Sequence, residues 1–127
     1  MIKTEPIVAV ADVEKSSDWY QKLLNCKSLH GGNTFEILAN ENNEQILSLH
    51  KWEVHGHPTL SDPTKEIGNG LILYFVVDDL NLIWENTKKL NAKIEEEPHL
   101  NNNSGRMEFS IRDLDNYYIS ITSDNRG

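Results

Sequence analysis

The chain has 127 residues and a mass of 14.6 kDa, enough for one domain with a substantial hydrophobic core. Hydrophobic residues make up 38% and charged residues 25%, a composition typical of a globular rather than a disordered protein. The formal charge of -8 argues against nucleic acid and membrane surfaces as partners, because both are negatively charged.

The single cysteine, Cys26, has no second cysteine with which to form an internal disulfide. The first residues lack the basic flank and apolar stretch of a secretion signal. The longest apolar run, Leu71 to Val77, is far shorter than the roughly 20 residues that a membrane-spanning helix needs. We therefore expect a protein of the reducing cytoplasm that does not span a membrane.

The first half of the chain begins with a short β-branched run, Ile7 to Val10, which predicts a buried strand. Asp12 suits the N-cap of an amphipathic helix. The apolar residues of that helix recur at helical spacing: Val13, Trp19, Tyr20, Leu23 and Leu24. We then expect a strand and a hairpin, formed by Phe35–Ala39 and Gln45–Trp52 around an asparagine-rich turn.

The second half repeats this order. Segment 53–69 contains glycines and prolines but few core-forming residues, so we expect an exposed connector there. The strand Leu71–Val77 and a helix starting at Asp78-Asp79 follow it. An offset of 67 pairs Asp12 with Asp79, and an offset of 72 pairs Ser48 with Ser120. The pattern indicates two copies of one supersecondary unit that pack together.

Three segments carry a resemblance to a known family. Val10 to Tyr20 reads V-x-D-x-x-x-S-x-x-W-Y, Val77 to Leu80 reads V-D-D-L, and Asp113 to Asn116 reads D-L-D-N. Over residues 5–123 the chain resembles the glyoxalase/bleomycin-resistance protein/dioxygenase family of the vicinal oxygen chelate superfamily. In that family the third segment is usually D-P-D-G, and Asn116 can take the positive φ of the glycine.

The resemblance implies an α+β fold of two βαβββ modules, whose curved mixed sheets form a cleft. It places module 5–52, connector 53–69 and module 70–123 in a single glyoxalase-like domain. It also implies a homodimer, in which the modules pair either within one chain or between two.

Metal-dependent members of this family hold their metal with four inward-facing strand positions. The resemblance places these at Glu5, Ser48, Ile72 (or Leu71, if the strand shifts by one residue) and Ser120. Only Glu5 is a strong ligand for a divalent metal, since hydroxyls are feeble ligands and an aliphatic side chain is none. We therefore expect neither a metal site nor a cofactor.

Alternation along the strands predicts which side chains line the cleft. A four-residue turn in the last hairpin would set Ile111 opposite Tyr118 and Phe109 opposite Ser120. The predicted ligand-binding residues combine rings, hydroxyls, one imidazole and one acid: Glu5, Ser48, His50, Trp52, Tyr74, Phe109, Tyr118 and Ser120. Such a lining suits a planar or aromatic organic ligand. The alternative is that these rings fill the core of the sheet.

Segment 50–57 contains three histidines and a carboxylate, which makes a displaced metal site the main rival interpretation. His50 shares a strand face with Ser48, whereas His55 and His57 fall in the predicted connector, where structural roles are the alternative. Arg106 and Glu108 would form a surface salt bridge, with an anion-steering role for Arg106 as the alternative.

These observations favour a metal-independent small-molecule-binding protein that sequesters its ligand, as resistance proteins of the family do. The alternative is a lyase, isomerase or dioxygenase-type enzyme acting on a small carbonyl or aromatic compound. It would use Glu5 with a displaced metal, or Glu5 and His50 as acid and base.

Overall fold

The computed structural model describes residues 3–54, 57–64, 66, 68–69 and 71–126. The chain divides into two compact units, residues 1–65 and 66–127. The first contains β1 (Ile7–Val10), α1 (Val13–Leu24), β2 (Lys27–His30), β3 (Phe35–Ala39), β4 (Gln45–Lys51) and a short 3-10 helix (Pro58–Leu60). The second contains β5 (Leu73–Val77), α2 (Leu80–Lys89), β6 (Lys93–Asn101), β7 (Arg106–Arg112) and β8 (Tyr118–Arg126). The predicted α+β class with two βαβββ modules is confirmed.

The first unit is a sheet of order β1-β4-β3-β2 with α1 on one face. Asp12 caps the helix as predicted, because its side chain accepts a hydrogen bond from the Lys15 amide at 3.0 Å. The Ser17 hydroxyl on α1 donates to Glu36 on β3 at 3.0 Å, which fixes Glu36 on the helix-facing side. Leu38 and Leu49 share this side and are fully buried.

The second unit is a sheet of order β5-β8-β7-β6, with β5 parallel to β8. Asp79 caps α2 by accepting the Leu82 amide at 3.1 Å. The ring of Trp84 on α2 meets that of Phe109 on β7 edge to face at 5.0 Å, so Phe109 belongs to the helix-facing core. The neighbours Ile119 and Ile121 on β8 share that core.

The pairing of β7 with β8 differs by one residue from the prediction. Arg112 lies opposite Tyr118, and Ser110 lies opposite Ser120. The intervening turn has five residues rather than four: Asp113 donates its amide to the Tyr117 carbonyl at 3.1 Å, and Asn116 takes a φ of 71°. Because a one-residue shift moves a side chain to the other face, the prediction that Phe109 faces the same side as Ser120 is wrong.

The internal repeat is confirmed by the strand pairing. Ile7 lies beside Ser48 in the first sheet, and their counterparts at offsets of 67 and 72, Tyr74 and Ser120, lie beside each other in the second. Strand β1 has the predicted bounds, so Glu5 precedes it. Strands β4 and β5 are shorter than predicted, since Trp52 follows β4 and Ile72 precedes β5. In the described part of the chain, no helix is long and apolar enough to cross a membrane.

Two glycines of the second unit give a matched test of the packing. Gly68 and Gly105 have φ values of 72° and 73°, but a Cβ on Gly68 would lie 2.8 Å from Cδ1 of the buried Tyr117, whereas one on Gly105 would meet nothing within 4 Å. Gly105→Ala should lower the free energy of unfolding by about 1–2 kcal/mol, the cost of left-handed backbone. Gly68→Ala should lower it by more, because the tyrosine ring must also move. Urea unfolding measures both, and equal losses would contradict the packing described.

Candidate functional site

The face of the second sheet that points away from α2 carries an unusual density of polar side chains. We call it the polar face. The strand pairing places on it two tyrosines, two serines and two carboxylates: Tyr74, Glu96, Glu108, Ser110, Tyr118 and Ser120. Val76 adds an exposed apolar surface next to Tyr74.

Glu108 is the most buried acid of the polar face, with 6% of its surface exposed. Its Oε1 accepts hydrogen bonds from the Tyr74 hydroxyl and, at 3.0 Å, from the Asn101 amide nitrogen. Tyr74 itself is 47% exposed. Burial, the hydrogen bond to Glu108 and the charge of Glu108 all raise the pKa of the Tyr74 phenol, so this hydroxyl keeps its proton at neutral pH and donates a hydrogen bond to Glu108.

Hydroxyl groups connect the centre of the polar face to Glu96. The Ser110 and Ser120 hydroxyls are hydrogen-bonded at 2.9 Å, and both are buried. Glu96 Oε1 accepts from the Tyr118 hydroxyl at 3.1 Å and from Ser110 at 3.4 Å. The guanidinium of Arg112 lies 4.9 Å from the centre of the Tyr118 ring, a cation–π contact.

The corresponding face of the first sheet, which points away from α1, is richer in rings. Ser48 and His50 lie on it in β4, and both are buried. His50 Nδ1 lies 2.8 Å from the Lys51 carbonyl, which favours the tautomer with the proton on Nδ1. The His50 ring meets Phe35 at 6.1 Å and His57 at 5.0 Å, in both cases edge to face.

The sequence-predicted residues therefore fall into separate groups. Tyr74, Tyr118 and Ser120 share the polar face, and Ser48 and His50 share a face of β4. The remaining predicted residues lie elsewhere: Glu5 is exposed before β1, Trp52 lies in the turn after β4, and Phe109 is buried under α2. His57 lies beside His50, and His55 lies outside the described residues.

The four positions that correspond to the family's metal ligands do not fit a divalent metal. Ser48 and Ser120 offer neutral hydroxyls, and the Ser120 hydroxyl already bonds to Ser110. Ile72 offers a hydrocarbon side chain, and Glu5 is exposed ahead of its strand. Among the described residues, no three histidine, cysteine or acidic side chains are grouped in a way that could hold a metal ion. The donor set lacks the imidazoles and carboxylates that such a site requires.

Glu108 and Glu96 are the site residues that the sequence analysis missed. We expected Glu108 to form a surface salt bridge with Arg106, but it is buried and bonded to Tyr74 and Asn101. The available signal was its position between the apolar residues Met107 and Phe109 in a strand, where an acid is unusual unless it has partners.

Cys26 lies outside both faces. Its thiol is half-buried and lies 3.6 Å from the Tyr20 carbonyl oxygen. Burial, assisted by the charge of Glu36 and opposed by a backbone hydrogen bond, raises the pKa of Cys26 to about 11. The thiol is therefore protonated at neutral pH and is a poor nucleophile.

Comparison with known proteins identifies the fold. The model of a family described as the glyoxalase/bleomycin resistance protein/dioxygenase superfamily matches residues 4–121. A domain of that description from Frankia sp. EAN1pec is 21% identical, with a TM-score of 0.72 and 98% of each chain covered. A family enzyme from Burkholderia phytofirmans PsJN is 14% identical, with a TM-score of 0.76 and coverage of 94% of this chain and 95% of its own.

A bleomycin resistance determinant encoded on the transposon Tn5 is 16% identical, with a TM-score of 0.70 and coverage of 98% of this chain and 99% of its own. No curated protein matches the chain significantly. At these identities the structural similarities establish the fold alone.

The raised pKa of Cys26 predicts slow alkylation. At pH 8 the thiolate fraction in the folded protein is small, so iodoacetamide should react roughly two orders of magnitude more slowly than with the urea-unfolded chain. The rate should increase as the pH approaches 11, because deprotonation then occurs in the folded state. Rapid alkylation of the folded protein at pH 8 would contradict this assignment.

Proposed function

The chain belongs to the glyoxalase/bleomycin resistance protein/dioxygenase superfamily, and on this premise we propose that it binds and sequesters a small organic molecule without a resident metal. The donor set at the four family positions carries the proposal. A lone carboxylate does not hold zinc, nickel or iron against water, so metal-dependent chemistry would lack the centre that polarises its substrate. The Tn5 bleomycin resistance determinant, which has the same fold, is a precedent for a resistance function. At 16% identity it does not identify the ligand of this chain.

The composition of the polar face supports a flat organic ligand. Tyr74 and Val76 expose about half of their surface, and hydroxyls and carboxylates lie beside them. Proteins bind small molecules on such surfaces, where apolar and aromatic groups supply contact area and a few fixed polar groups orient the ligand. We propose Tyr74 as the stacking residue, with Tyr118 and Ser120 as polar contacts.

The other predicted residues have different roles in this proposal. Within the first unit taken by itself, we propose Ser48 and His50 as ligand contacts, and the rings of His57 and Phe35 pack against the His50 ring. Phe109 packs against Trp84 on the helix-facing side of the sheet and does not contact the ligand. We further propose a homodimer, on the basis of the family resemblance, and a cytoplasmic location, on the basis of the single cysteine.

Metal analysis tests the absence of a resident metal. Protein purified without chelators should contain no near-stoichiometric zinc, nickel, iron or manganese by mass spectrometry of the elements, because the family positions offer too few strong ligands. Near-stoichiometric metal that is lost in Glu5→Gln would overturn the proposal. Loss only in His50→Ala would instead locate a displaced site at the histidines.

A thermal-shift screen of planar aromatic metabolites and antibiotics tests ligand binding, because a ligand of the native state raises the melting temperature. Tyr74→Ala should weaken the affinity for any ligand found by about tenfold, since stacking and burial of one ring contribute on the order of 1 kcal/mol or more. Leu100→Ala is the matched control: Leu100 is as exposed as Tyr74 but lies opposite Met107, on the other face of the sheet. Equal losses in both variants would show that binding does not use the polar face.

A further inference from the structure

Glu108 is a buried carboxylate whose neighbours are neutral. Only 6% of its surface is exposed. In the described part of the chain, no lysine or arginine nitrogen lies within 4.0 Å of its oxygens. Among the described residues, Tyr74 and Asn101 donate hydrogen bonds to Glu108. Both bonds end on the same oxygen, Oε1. A buried charge with two neutral donors lacks the counter-charge that offsets its desolvation.

The cationic residues nearest in the sheet have other positions or partners. Arg106 lies two residues away on the same strand face without forming an ion pair with Glu108. Arg112 has its Nε 3.6 Å from Glu95, and its guanidinium lies against the Tyr118 ring. The charge of Glu108 is therefore available to a ligand.

A second carboxylate lies on the same face of the sheet. Glu96 lies on the neighbouring strand opposite Ser110, one side-chain position along the polar face from Glu108. It is bonded by the hydroxyls of Tyr118 and Ser110, and its other oxygen lies 4.0 Å from His99 Nε2. Two carboxylates, each hydrogen-bonded by a tyrosine, therefore lie on one face, and neither forms an ion pair with a described lysine or arginine.

The aromatic ring next to Glu108 completes the recognition chemistry. The hydroxyl of Tyr74 is held by the carboxylate, which fixes a half-exposed ring beside a buried negative charge. Organic ammonium groups bind where a carboxylate and an exposed aromatic ring lie close together, because a carboxylate and the face of a ring both attract positive charge. The exposed Val76 extends the apolar surface alongside.

We propose that the ligand of the polar face carries a protonated amine or amidine attached to a flat apolar group, and that Glu108 is the residue that determines this preference. The inference rests on the proposed small-molecule binding and specifies the class of ligand. The positive group pairs with Glu108, and the flat group lies on Tyr74 and Val76.

Three probes that share one ring system test the charge preference: 1-naphthylmethylamine, 1-naphthylmethanol and 1-naphthoate. Their dissociation constants are measured by titration under NMR, at neutral pH and low salt. The amine should bind at least about tenfold more tightly than the alcohol, and the carboxylate should bind most weakly. Signals of β5 and β7 should shift with the amine.

Glu108→Gln should reduce the affinity for the amine to the level of the affinity for the alcohol. The affinity for the alcohol itself should not change. The glutamine keeps the size of the side chain and an acceptor for Tyr74 but removes the charge. Glu97→Gln is the matched control, because it removes one charge from an exposed position on β6 of the same unit. Tyr74→Phe should keep the amine preference, since the ring and the carboxylate remain.

Each outcome separates the inference from the proposed function. If the alcohol or the naphthoate binds as tightly as the amine, ligand binding stands and the charge preference is overturned. If Glu97→Gln weakens the amine as much as Glu108→Gln, the preference arises from the net charge and Glu108 does not determine it. If none of the three probes binds, both the proposed function and the inference fail. Circular dichroism checks that each variant is folded.

Discussion

The pairing of Ser110 with Ser120 determines what the second unit can do. It places Phe109, Ile119 and Ile121 under α2, and it places the two serines with Glu108 on the polar face. A shift of one residue would bury the carboxylate under the helix and expose the phenylalanine. The five-residue turn closed by Asp113 and Tyr117 therefore fixes the core and the candidate site together.

The buried glutamates Glu36 and Glu108 use their negative charges differently. Glu36 faces α1 and is surrounded by donors: Ser17, the hydroxyl of Ser28 at 2.8 Å, and the amide of Ile37 at 2.9 Å. Both of its oxygens accept hydrogen bonds, so this carboxylate has a structural role: it links the helix to the sheet. Glu108 receives its hydrogen bonds on one oxygen only among the described residues, and it faces away from the helix. Its charge is therefore the one that can act on a ligand.

Local signals predicted the elements of this fold well, whereas the site depended on details that the sequence does not display. The cap at Asp12 and the helix start at Asp78-Asp79 follow from side-chain chemistry within one turn of helix, and both predictions are confirmed. The register of β7 and β8 depends on the number of residues in the turn. The segment Asp113 to Asn116, which departs from the family's D-P-D-G pattern, did not reveal that the turn has five residues. Glu108 was missed for that reason: its partner Tyr74 is 34 residues away, and only the correct register places them on one face.

A β-bulge explains why the internal repeat does not align structurally equivalent residues at Glu108. An offset of 72 aligns Glu36 with Glu108, yet one faces its helix and the other faces away. In the first hairpin the register shifts between Leu38 and Ala39, so Ile37 lies opposite Ser48, whereas Ser110 lies opposite Ser120. The equivalent positions in β3 and β7 are therefore 73 residues apart, which makes Phe35 the counterpart of Glu108. One unit thus presents a ring beside His50 where the other presents a carboxylate beside Tyr74, and the two copies of the same supersecondary unit have acquired different recognition chemistry.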